Sequence, residues 1–410
     1  MSWRLVLSIP FCVYLRIGIG RLGWRSPPQA TRSHSILNRT SPSNPRLPLT
    51  HCPCYCRNNT RVAHQPRTHR RKTMPALTPS QLDHFASEGY VVVKGVLDPV
   101  TTLDPVIDEY ATVLDSLADD LYAQGEITSR YEELEFGDRY IQICVETGRV
   151  HSQYFDFSLP FQNVQPDTPF WAGPAVFRAF TDPNLLDVVE SLIGPEIYSN
   201  PVQHVRIKPP ERYLPKNQYG NAILGATQWH QDHGVVTEEA DDTQMLTVWF
   251  SLQDTPIEKG PLMVAPGSHK SGLLPHCPNY MDNAPQFAGA AQVPEKLFAA
   301  DRAIPVPVER GDVICVHKQT VHGSYPNVSD EVRWSFDLRY NPTDQPTGRI
   351  AFPGFIARSR RDPDSELRDP AEWHRLWLEA RAKMSAINQD GQIDVPFRRE
   401  QMEMAHPLCA

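Results

Sequence analysis

Residues 311–342 read GDVICVHKQTVHGSYPNVSDEVRWSFDLRYNP, and they contain two of the clearest predicted strands of the chain. Each predicted strand is a short run of apolar, largely β-branched or aromatic residues that ends at Gly, Ser, Pro or Asn, as strands between turns do. Similar segments precede them at 198–210 (YSNPVQHVRIKPP), 244–254 (QMLTVWFSLQD) and 260–268 (GPLMVAPGS). This half of the chain is therefore predicted to be a series of short strands.

Helical patterns lie on both sides of these strands. Residues 96–135 place apolar and acidic residues at helical spacing, and residues 183–198 repeat that pattern until a Gly-Pro pair ends it. A third amphipathic helix is predicted at about 369–388, where Asp369 and Pro370 begin it. Helices first and strands later indicate an α+β fold with a barrel or jelly-roll core.

The first 73 residues differ from the rest in charge. They contain 13 Lys and Arg and no Asp or Glu, so the remaining chain has 27 basic residues against all 48 acidic ones. Such a step is typical of a tail or a targeting segment. We expect a disordered extension or a mis-started gene model first, a mitochondrial presequence second and a secretory signal last. The folded domain is predicted to span residues 74–400, with its strands at about 195–345.

Composition limits the partners and the compartment. The net charge of −8 argues against nucleic acid as a partner. The apolar stretch Leu5 to Leu15 is too short for a stable membrane span. The four cysteines after residue 73 have no paired spacing and are predicted to be reduced thiols. We therefore expect an intracellular, cytoplasmic protein, or a mitochondrial one if residues 1–73 are a genuine presequence.

The sharpest chemical signal is TQWHQDHG, residues 227–234. Side chains two apart in an extended segment leave the same face, so His230 and Asp232 can converge on one metal ion. A third ligand is predicted at His322, which follows an apolar strand and precedes a Gly-Ser turn. Two imidazoles and one carboxylate on one side of an ion leave three positions open, which is the arrangement suited to non-haem Fe(2+).

A second pair lies eleven residues after His322. Arg333 and Ser335 are two apart on one face of a predicted strand. A guanidinium forms a bidentate, charge-assisted bond with a carboxylate, and a hydroxyl adds a third bond. A dicarboxylate such as 2-oxoglutarate needs such an anchor at its far end. The alternative for Arg333 alone is a surface residue in an ion pair.

Taken together, these segments resemble the phytanoyl-CoA dioxygenase family of iron(II)- and 2-oxoglutarate-dependent oxygenases. The resemblance runs from about residue 80 to 345 and includes WHQDHG, GPLMVAPGSHK (260–270) and R-x-S (333–335). It implies a double-stranded β-helix (jelly-roll or cupin-like) core with flanking helices. It also implies that the catalytic residues His230, Asp232 and His322 bind Fe(2+), and that 2-oxoglutarate is the cosubstrate.

The resemblance extends to residues around the cosubstrate. It implies that Arg333 and Ser335 bind the far carboxylate and that Trp249 lies beside it. His204 falls on a cosubstrate-lining strand where the family often has an apolar residue, which is a departure. The human namesake also has an upstream Lys near the cosubstrate, and residues 160–170 contain none. Three residues could substitute for it: Gln203, Arg206 and Lys208.

The implied reaction converts 2-oxoglutarate and O2 to succinate and CO2 while a small organic substrate is oxidised. Related halogenases replace the carboxylate ligand with a small residue, so an intact Asp232 favours hydroxylation or desaturation. An acyl-CoA or a secondary metabolite is the expected substrate type, and the chain is expected to be a monomer or homodimer. The alternatives are a cupin-like metal-dependent hydrolase or isomerase, and a non-catalytic barrel that binds a ligand.

Overall fold

The computed structural model describes residues 77–160, 163–216, 225–278, 291–389 and 407. The chain is divided into two units, residues 1–69 and residues 70–410. All described residues belong to the second unit. The basic N-terminal segment, with the predictions about targeting, lies outside the described residues. The division between residues 73 and 74 stays a prediction.

The described residues form seven α-helices and eleven strands. The helices are Pro79–Glu88 (α1), Asp104–Ala123 (α2), Phe136–Thr147 (α3), Ser152–Phe155 (α4), Pro174–Phe180 (α5), Pro183–Ile193 (α6) and Pro370–Gln389 (α7). The strands are Tyr90–Val93 (β1), Glu196–Lys208 (β2), Leu246–Ser251 (β3), Leu262–Val264 (β4), Cys277–Pro278 (β5), Ala291–Gln292 (β6), Ile304–Val306 (β7), Val313–His317 (β8), His322–Ser324 (β9), Arg333–Pro342 (β10) and Phe355–Ser359 (β11).

The strands form antiparallel sheets. The larger sheet has the order β1-β8-β3-β10-β2-β11, and each neighbouring pair in it is antiparallel. A smaller sheet has the order β7-β4-β9, and β5 pairs with β6 in a two-stranded ribbon. Antiparallel sheets combined with helices confirm the predicted α+β class.

The two faces of the larger sheet differ in polarity along strand β10, whose side chains alternate between them. Four of them are apolar or aromatic and join the main core with the helices: Trp334, Phe336, Leu338 and Tyr340. The Trp334 ring stacks on Phe136 of α3, with ring centroids 4.4 Å apart. The intervening residues on the opposite face are polar, and all of them are buried: Arg333, Ser335, Asp337, Arg339 and Asn341.

The polar face of β10 is directed toward the smaller sheet. Trp249 of β3 lies directly opposite Asp337 of β10 in the sheet. It belongs to a second apolar cluster that joins β3 and β8 to the smaller sheet through Leu262 and Val264. The space between the sheets is therefore apolar around Trp249 and highly charged along β10. Groups with such charge are buried only where they are paired or serve a site.

Local sequence determines where several helices begin and end. Thr78 caps α1, where its side chain and that of Gln81 form a capping box. Asp182 accepts hydrogen bonds from the first N–H groups of α6. The predicted helical region 96–135 contains α2 and one preceding π-helical turn, Pro99–Leu103, but residues 124–135 hold no helix. The helix expected near residue 369 spans Pro370–Gln389.

One expectation about the cysteines is wrong. Cys144 and Cys315 are free and buried, but Cys277 is disulfide-bonded. Sequence spacing could not reveal this bond, since disulfide pairing depends on which cysteines the fold brings together. Among the helices that the structure describes, none has the length and apolar character needed to cross a membrane.

Candidate metal centre

The three predicted metal ligands come together at the smaller sheet. His322 begins β9, and its backbone pairs with that of His230, so that the N–H of each residue donates to the other's carbonyl oxygen at 2.9 Å. This pairing brings the two imidazole centroids to 4.3 Å from each other. One ligand atom from each of His230, Asp232 and His322 lies within 4.8 Å of the other two.

The residue between the first two ligands holds this segment in place. Gln231 is extended, with φ −118° and ψ 135°, and the short turn Asp232–Val235 follows it. Its buried side chain donates to the carbonyl oxygens of Gly272 and Gln319, at 2.8 Å and 2.6 Å. His230 and Asp232 therefore leave the opposite side of the segment together, in line with their two-residue spacing.

Both imidazoles are oriented by backbone carbonyl groups. The Nδ1 of His230 lies 2.8 Å from the Gln228 carbonyl oxygen, and the Nδ1 of His322 lies 2.9 Å from that of Thr320. A carbonyl oxygen only accepts, so each Nδ1 carries a proton, and Nε2 is the nitrogen of each ring that can offer a lone pair. Such contacts fix the ring and the tautomer in protein metal sites.

The Asp232 carboxylate is ionised although it is buried. Burial alone would raise its pKa, but the Arg339 guanidinium and then the two imidazoles hold the pKa of Asp232 well below its ordinary value. Arg339 Nη2 lies 2.5 Å from Asp232 Oδ1, and the Thr247 hydroxyl donates to Oδ2. Burial, followed by the nearby His322, lowers the pKa of His230 to about 3.

These protonation states suit a divalent metal ion. His230 Nε2 lies 3.6 Å from Asp232 Oδ1, and His322 Nε2 lies 3.8 Å from Asp232 Oδ2. A neutral imidazole binds metal through its lone pair and a carboxylate binds as the anion, and the lowered pKa values of His230 and Asp232 favour these forms. Two nitrogens and one carboxylate from one side fit iron(II) in the non-haem arrangement.

Arg333 lies in a pocket with few hydrogen-bond acceptors. It is fully buried, its Nη1 donates to the Gly260 carbonyl oxygen at 2.9 Å, and its guanidinium lies 5.9 Å from the centre of the Trp249 ring. Among the described residues, neither Arg333 Nε nor the buried Ser335 hydroxyl has a hydrogen-bond partner. Burial, and then the nearby Arg206, lower the pKa of Arg333 to about 9. Arg333 Nε and the Ser335 hydroxyl therefore have hydrogen-bonding capacity that no described residue uses.

Gly260 allows its carbonyl to reach Arg333. Its φ is +73°, a backbone conformation that other residues rarely adopt. A Cβ at this position would lie 2.7 Å from the Tyr325 carbonyl oxygen. The first glycine of GPLMVAPGSHK therefore serves the Arg333 pocket as well as the turn.

A second basic side chain, half-buried, lies beside Arg333. Lys208 of β2 lies opposite Arg333 in the sheet. Its Nζ donates to the Gly225 carbonyl and the Thr227 hydroxyl at 2.8 Å, and to the Ser324 hydroxyl at 3.3 Å. Burial, then Arg333 and Arg206, hold the pKa of Lys208 well below its ordinary value. All three of these acceptors are neutral, so an added carboxylate would be attracted to both cations.

The remaining predicted residues have defined neighbours. Trp249 forms part of the apolar cluster between the sheets, beneath Arg333. His204 Nδ1 lies 2.8 Å from Asp156 Oδ2, and His204 pairs with Asp337 in the sheet. Of the three suggested substitutes for the upstream Lys, Lys208 and Arg206 lie near Arg333, whereas Gln203 contacts Ser199.

Sequence reasoning missed Arg339, Asp337 and Thr247. Arg339 and Asp337 continue the two-residue alternation that begins at Arg333 and Ser335, so the sequence did contain a signal for them. Arg339 Nη2 lies 3.2 Å from Asp337 Oδ1, and Arg206 Nη2 lies 3.5 Å from Asp337 Oδ2. Thr247 had no sequence signal, because its role depends on the pairing of β3 with β10.

Comparisons with known proteins identify the family and several relatives of this chain. The model of the family described as phytanoyl-CoA dioxygenase (PhyH) matches residues 85–335. Phytanoyl-CoA dioxygenase domain-containing protein 1 of Bos taurus is 25% identical over 308 residues, which cover 68% of this chain and 99% of that protein.

A shorter match is to the 1-deoxypentalenic acid 11-beta-hydroxylase of Streptomyces arenae. It is 30% identical over 171 residues, which cover 40% of this chain and 56% of that enzyme. The solved apo structure of the non-heme monooxygenase ThoJ aligns with 20% identity and a TM-score of 0.44, covering 76% of this chain and 99% of that one.

Proposed function

The chain belongs to the phytanoyl-CoA dioxygenase family, and we propose that it hydroxylates or desaturates a small organic substrate. It is an oxidoreductase, a non-haem iron dioxygenase that uses 2-oxoglutarate as cosubstrate. One observation carries the proposal: ligand atoms of one ionised carboxylate and of two imidazoles, whose Nδ1 atoms are both held by backbone carbonyl groups, lie within 4.8 Å of one another.

In this proposal, His230, Asp232 and His322 are the metal ligands. Support comes from the donor set, from the carbonyl groups that fix both imidazoles, and from the low pKa of Asp232. Because the third position is a carboxylate, no ligand place is left for a halide. This supports hydroxylation or desaturation over halogenation.

We assign the far carboxylate of 2-oxoglutarate to Arg333, with Ser335 as a further donor. The support is that both side chains are buried and that Arg333 Nε and Ser335 Oγ have no partner among the described residues. Lys208 is a candidate to replace the upstream Lys of the family, because it is paired with Arg333 on the neighbouring strand. Trp249 and His204 remain proposed cosubstrate neighbours.

When bound, iron and 2-oxoglutarate supply the oxidising chemistry, in which 2-oxoglutarate and O2 become succinate and CO2 while a substrate C–H bond is oxidised. The tasks of the chain are to orient and to exclude water. Arg333 and Ser335 would fix one end of the cosubstrate relative to the three ligands. The apolar cluster around Trp249 keeps water from one side of this space. The proposal requires no side chain to act as a general base.

We also propose that the core is a double-stranded β-helix. The support is that two antiparallel sheets enclose the metal ligands and the buried cations, and that Trp249 joins the apolar cluster between them. The backbone pairing of His230 with His322 adds a further link along the smaller sheet. In such a core the inward residues alternate with outward ones along every strand, as they do along β10.

The charges favour a small metabolite over an acyl-CoA as substrate. Several basic residues could have held a CoA phosphate, but acidic side chains occupy those near the C-terminal helix. Arg358 binds Asp187 at 2.7 Å and Glu190 at 2.9 Å, and Arg360 also binds Glu190 at 2.8 Å. A phosphate would have to displace these carboxylates.

Two measurements on anaerobically reconstituted iron(II) protein test the proposal. Calorimetry measures 2-oxoglutarate binding, and admitting O2 allows succinate to be quantified. We expect binding, slow succinate release without substrate, and loss of release in His322→Ala. Binding without succinate under any substrate would favour a metal-dependent hydrolase or isomerase. No binding at all would favour a non-catalytic barrel.

The substrate itself can be identified by untargeted metabolite profiling. Purified enzyme with iron(II), 2-oxoglutarate and O2 is incubated with a metabolite extract, and His322→Ala serves as the matched control. Hydroxylation adds one oxygen atom to the substrate mass, whereas desaturation removes two hydrogen atoms. A product with either change that appears only with the wild-type enzyme supports the proposal, and a hydrolysed or isomerised product contradicts it.

A further inference from the structure

Arg339 is a buried cation beside a proposed metal ligand. Its side chain is 3% exposed and that of Asp232 is 1% exposed, and Nη2 lies 2.5 Å from Oδ1. Removing a guanidinium from water costs several kcal/mol unless partners compensate for it. An arginine on the surface would contribute the same positive charge to the protein without this desolvation cost. The buried position of Arg339 therefore needs an explanation from its immediate surroundings.

We propose that Arg339 is a positioning residue that holds one oxygen of Asp232 and thereby presents the other oxygen to the metal. This inference rests on the proposed function, because it assumes that Asp232 is a metal ligand. An oxygen in a short, charge-assisted bond to a guanidinium is a poor competitor for a metal ion. The carboxylate then binds through one oxygen, which leaves room for the cosubstrate and O2.

The two oxygens of Asp232 have different partners, as the proposal requires. Oδ1 is bound by Arg339, a permanent charge, whereas Oδ2 accepts from the neutral Thr247 hydroxyl. A hydroxyl bond occupies one lone-pair direction of Oδ2 and leaves another for a metal. The two sides of the carboxylate are therefore not equivalent, and Oδ2 is the oxygen that we assign to the metal.

The guanidinium can orient Asp232 only if it is itself held. Its Nη1 donates to the carbonyl oxygens of Val202 and Asp337, both at 3.3 Å, and its Nη2 lies 3.2 Å from Asp337 Oδ1. The Val202 carbonyl is available because the pairing of β2 with β10 is irregular between Asp337 and Arg339. The irregularity thus supplies an acceptor for Arg339.

A merely structural role is the alternative, in which Arg339 only balances buried charge. The affinity for a metal ion and the geometry of its ligands distinguish the positioning role from the structural role. Both quantities are measured by adding the metal to folded apo protein. Cobalt(II) is the probe, because its absorption spectrum reports the number and arrangement of its ligands. Arg339→Lys keeps the charge and loses the second nitrogen that bonds the Val202 and Asp337 carbonyl oxygens. Arg339→Gln loses the charge as well, and Thr247→Val removes only the Oδ2 bond.

Arg358→Lys is the matched control. Arg358 is also a buried, ion-paired arginine, with a side chain 9% exposed, but it binds Asp187 and Glu190 of α6. We expect cobalt(II) affinity to fall about 10- to 100-fold in Arg339→Lys and in Arg339→Gln, as for other residues that orient a metal ligand. Their spectra should shift, while Arg358→Lys keeps the wild-type affinity and spectrum.

The outcomes are distinct. Wild-type affinity and spectrum in a folded Arg339→Lys or Arg339→Gln protein would overturn the inference and leave the proposed function intact.

If Arg339→Gln does not fold, Arg339→Lys and Asp337→Asn carry the test, because Asp337→Asn weakens only the support of the guanidinium. In an Asp232→Ala background, Arg339→Lys should change cobalt(II) affinity by less than about twofold. A larger change there contradicts action through Asp232. Wild-type protein that binds no cobalt(II) overturns the proposed function itself.

Discussion

Replacing Arg333 by Met should make the apo protein more stable and, at the same time, remove its affinity for 2-oxoglutarate. Arg333 is fully buried, and only Gly260 accepts a hydrogen bond from it among the described residues. Burial lowers the pKa of Arg333 from its ordinary value to about 9. At about 1.4 kcal/mol per pKa unit, this corresponds to at most about 5 kcal/mol of unfavourable free energy in the folded apo state.

Met has a similar length and no charge, so most of this cost disappears. The lost bond to Gly260 and imperfect packing offset part of the gain, by about 1–3 kcal/mol together. We expect the free energy of unfolding of the apo protein to rise by about 1–3 kcal/mol. The cosubstrate loses two charge-assisted hydrogen bonds of about 1.5–3 kcal/mol each, so its affinity should fall by a factor of at least about 100.

Urea denaturation of the apo protein gives the first quantity, and anaerobic calorimetry with iron(II) gives the second. Arg130→Met is the matched control: the Arg130 side chain is 39% exposed and forms an ion pair with Asp119, away from Arg333, so its removal should not stabilise the fold. An Arg333→Met protein that is less stable than wild type would refute the view that Arg333 is under-paired. Unchanged 2-oxoglutarate affinity would refute the anchor.

Other predictions concern the ligands, the second cation, the pH dependence and the core. Alanine at any one of the three proposed ligands should abolish succinate release, and full activity in a single such variant contradicts the assignment. Lys208→Met should weaken 2-oxoglutarate binding about 10-fold by calorimetry, and an unchanged affinity would remove Lys208 from the site. Burial lowers the pKa of His151 from 6.5 to about 4, so the unfolded chain takes up its proton first. The free energy of unfolding should then fall by about 1–2 kcal/mol between pH 6.5 and 4, and His151→Gln should flatten this part of the profile. Phe336→Ala should cost about 3–5 kcal/mol in urea denaturation, and a cost below 1 kcal/mol would contradict its place in the core.

Local patterns in the sequence predicted much of the fold. The alternation of β10, the helix after Pro183 and the His-x-Asp spacing are all properties of neighbouring residues, and they can be read without knowing the rest of the chain. His322 was predicted from its place after an apolar strand, and the resemblance to a family implied the same ligand. What could not be predicted depends on the register between distant strands. Lys208 meets Arg333 only because β2 and β10 pair as they do.

Arg339 shows the same limit in a different way. Its position on the inward face follows from simple alternation, but its contact with Asp232 needs the fold to bring together residues that are far apart in sequence. The Val202 carbonyl that supports it comes from a strand irregularity with no motif of its own. The disulfide of Cys277 likewise depends on tertiary structure rather than on spacing.

Strand β10 also limits how this protein can evolve. Its inward residues include the proposed cosubstrate anchor and the partner of a proposed metal ligand, while its outward residues form the centre of the core. Deleting or inserting a single residue between Arg333 and Arg339 would move the residues on one side of the change to the opposite face, placing a guanidinium group in the core and aromatic rings in the site. Substitutions can be tolerated one at a time along this strand, but changes of length cannot. Homologues should therefore vary in length in the turn before Arg333 and keep a six-residue step from Arg333 to Arg339.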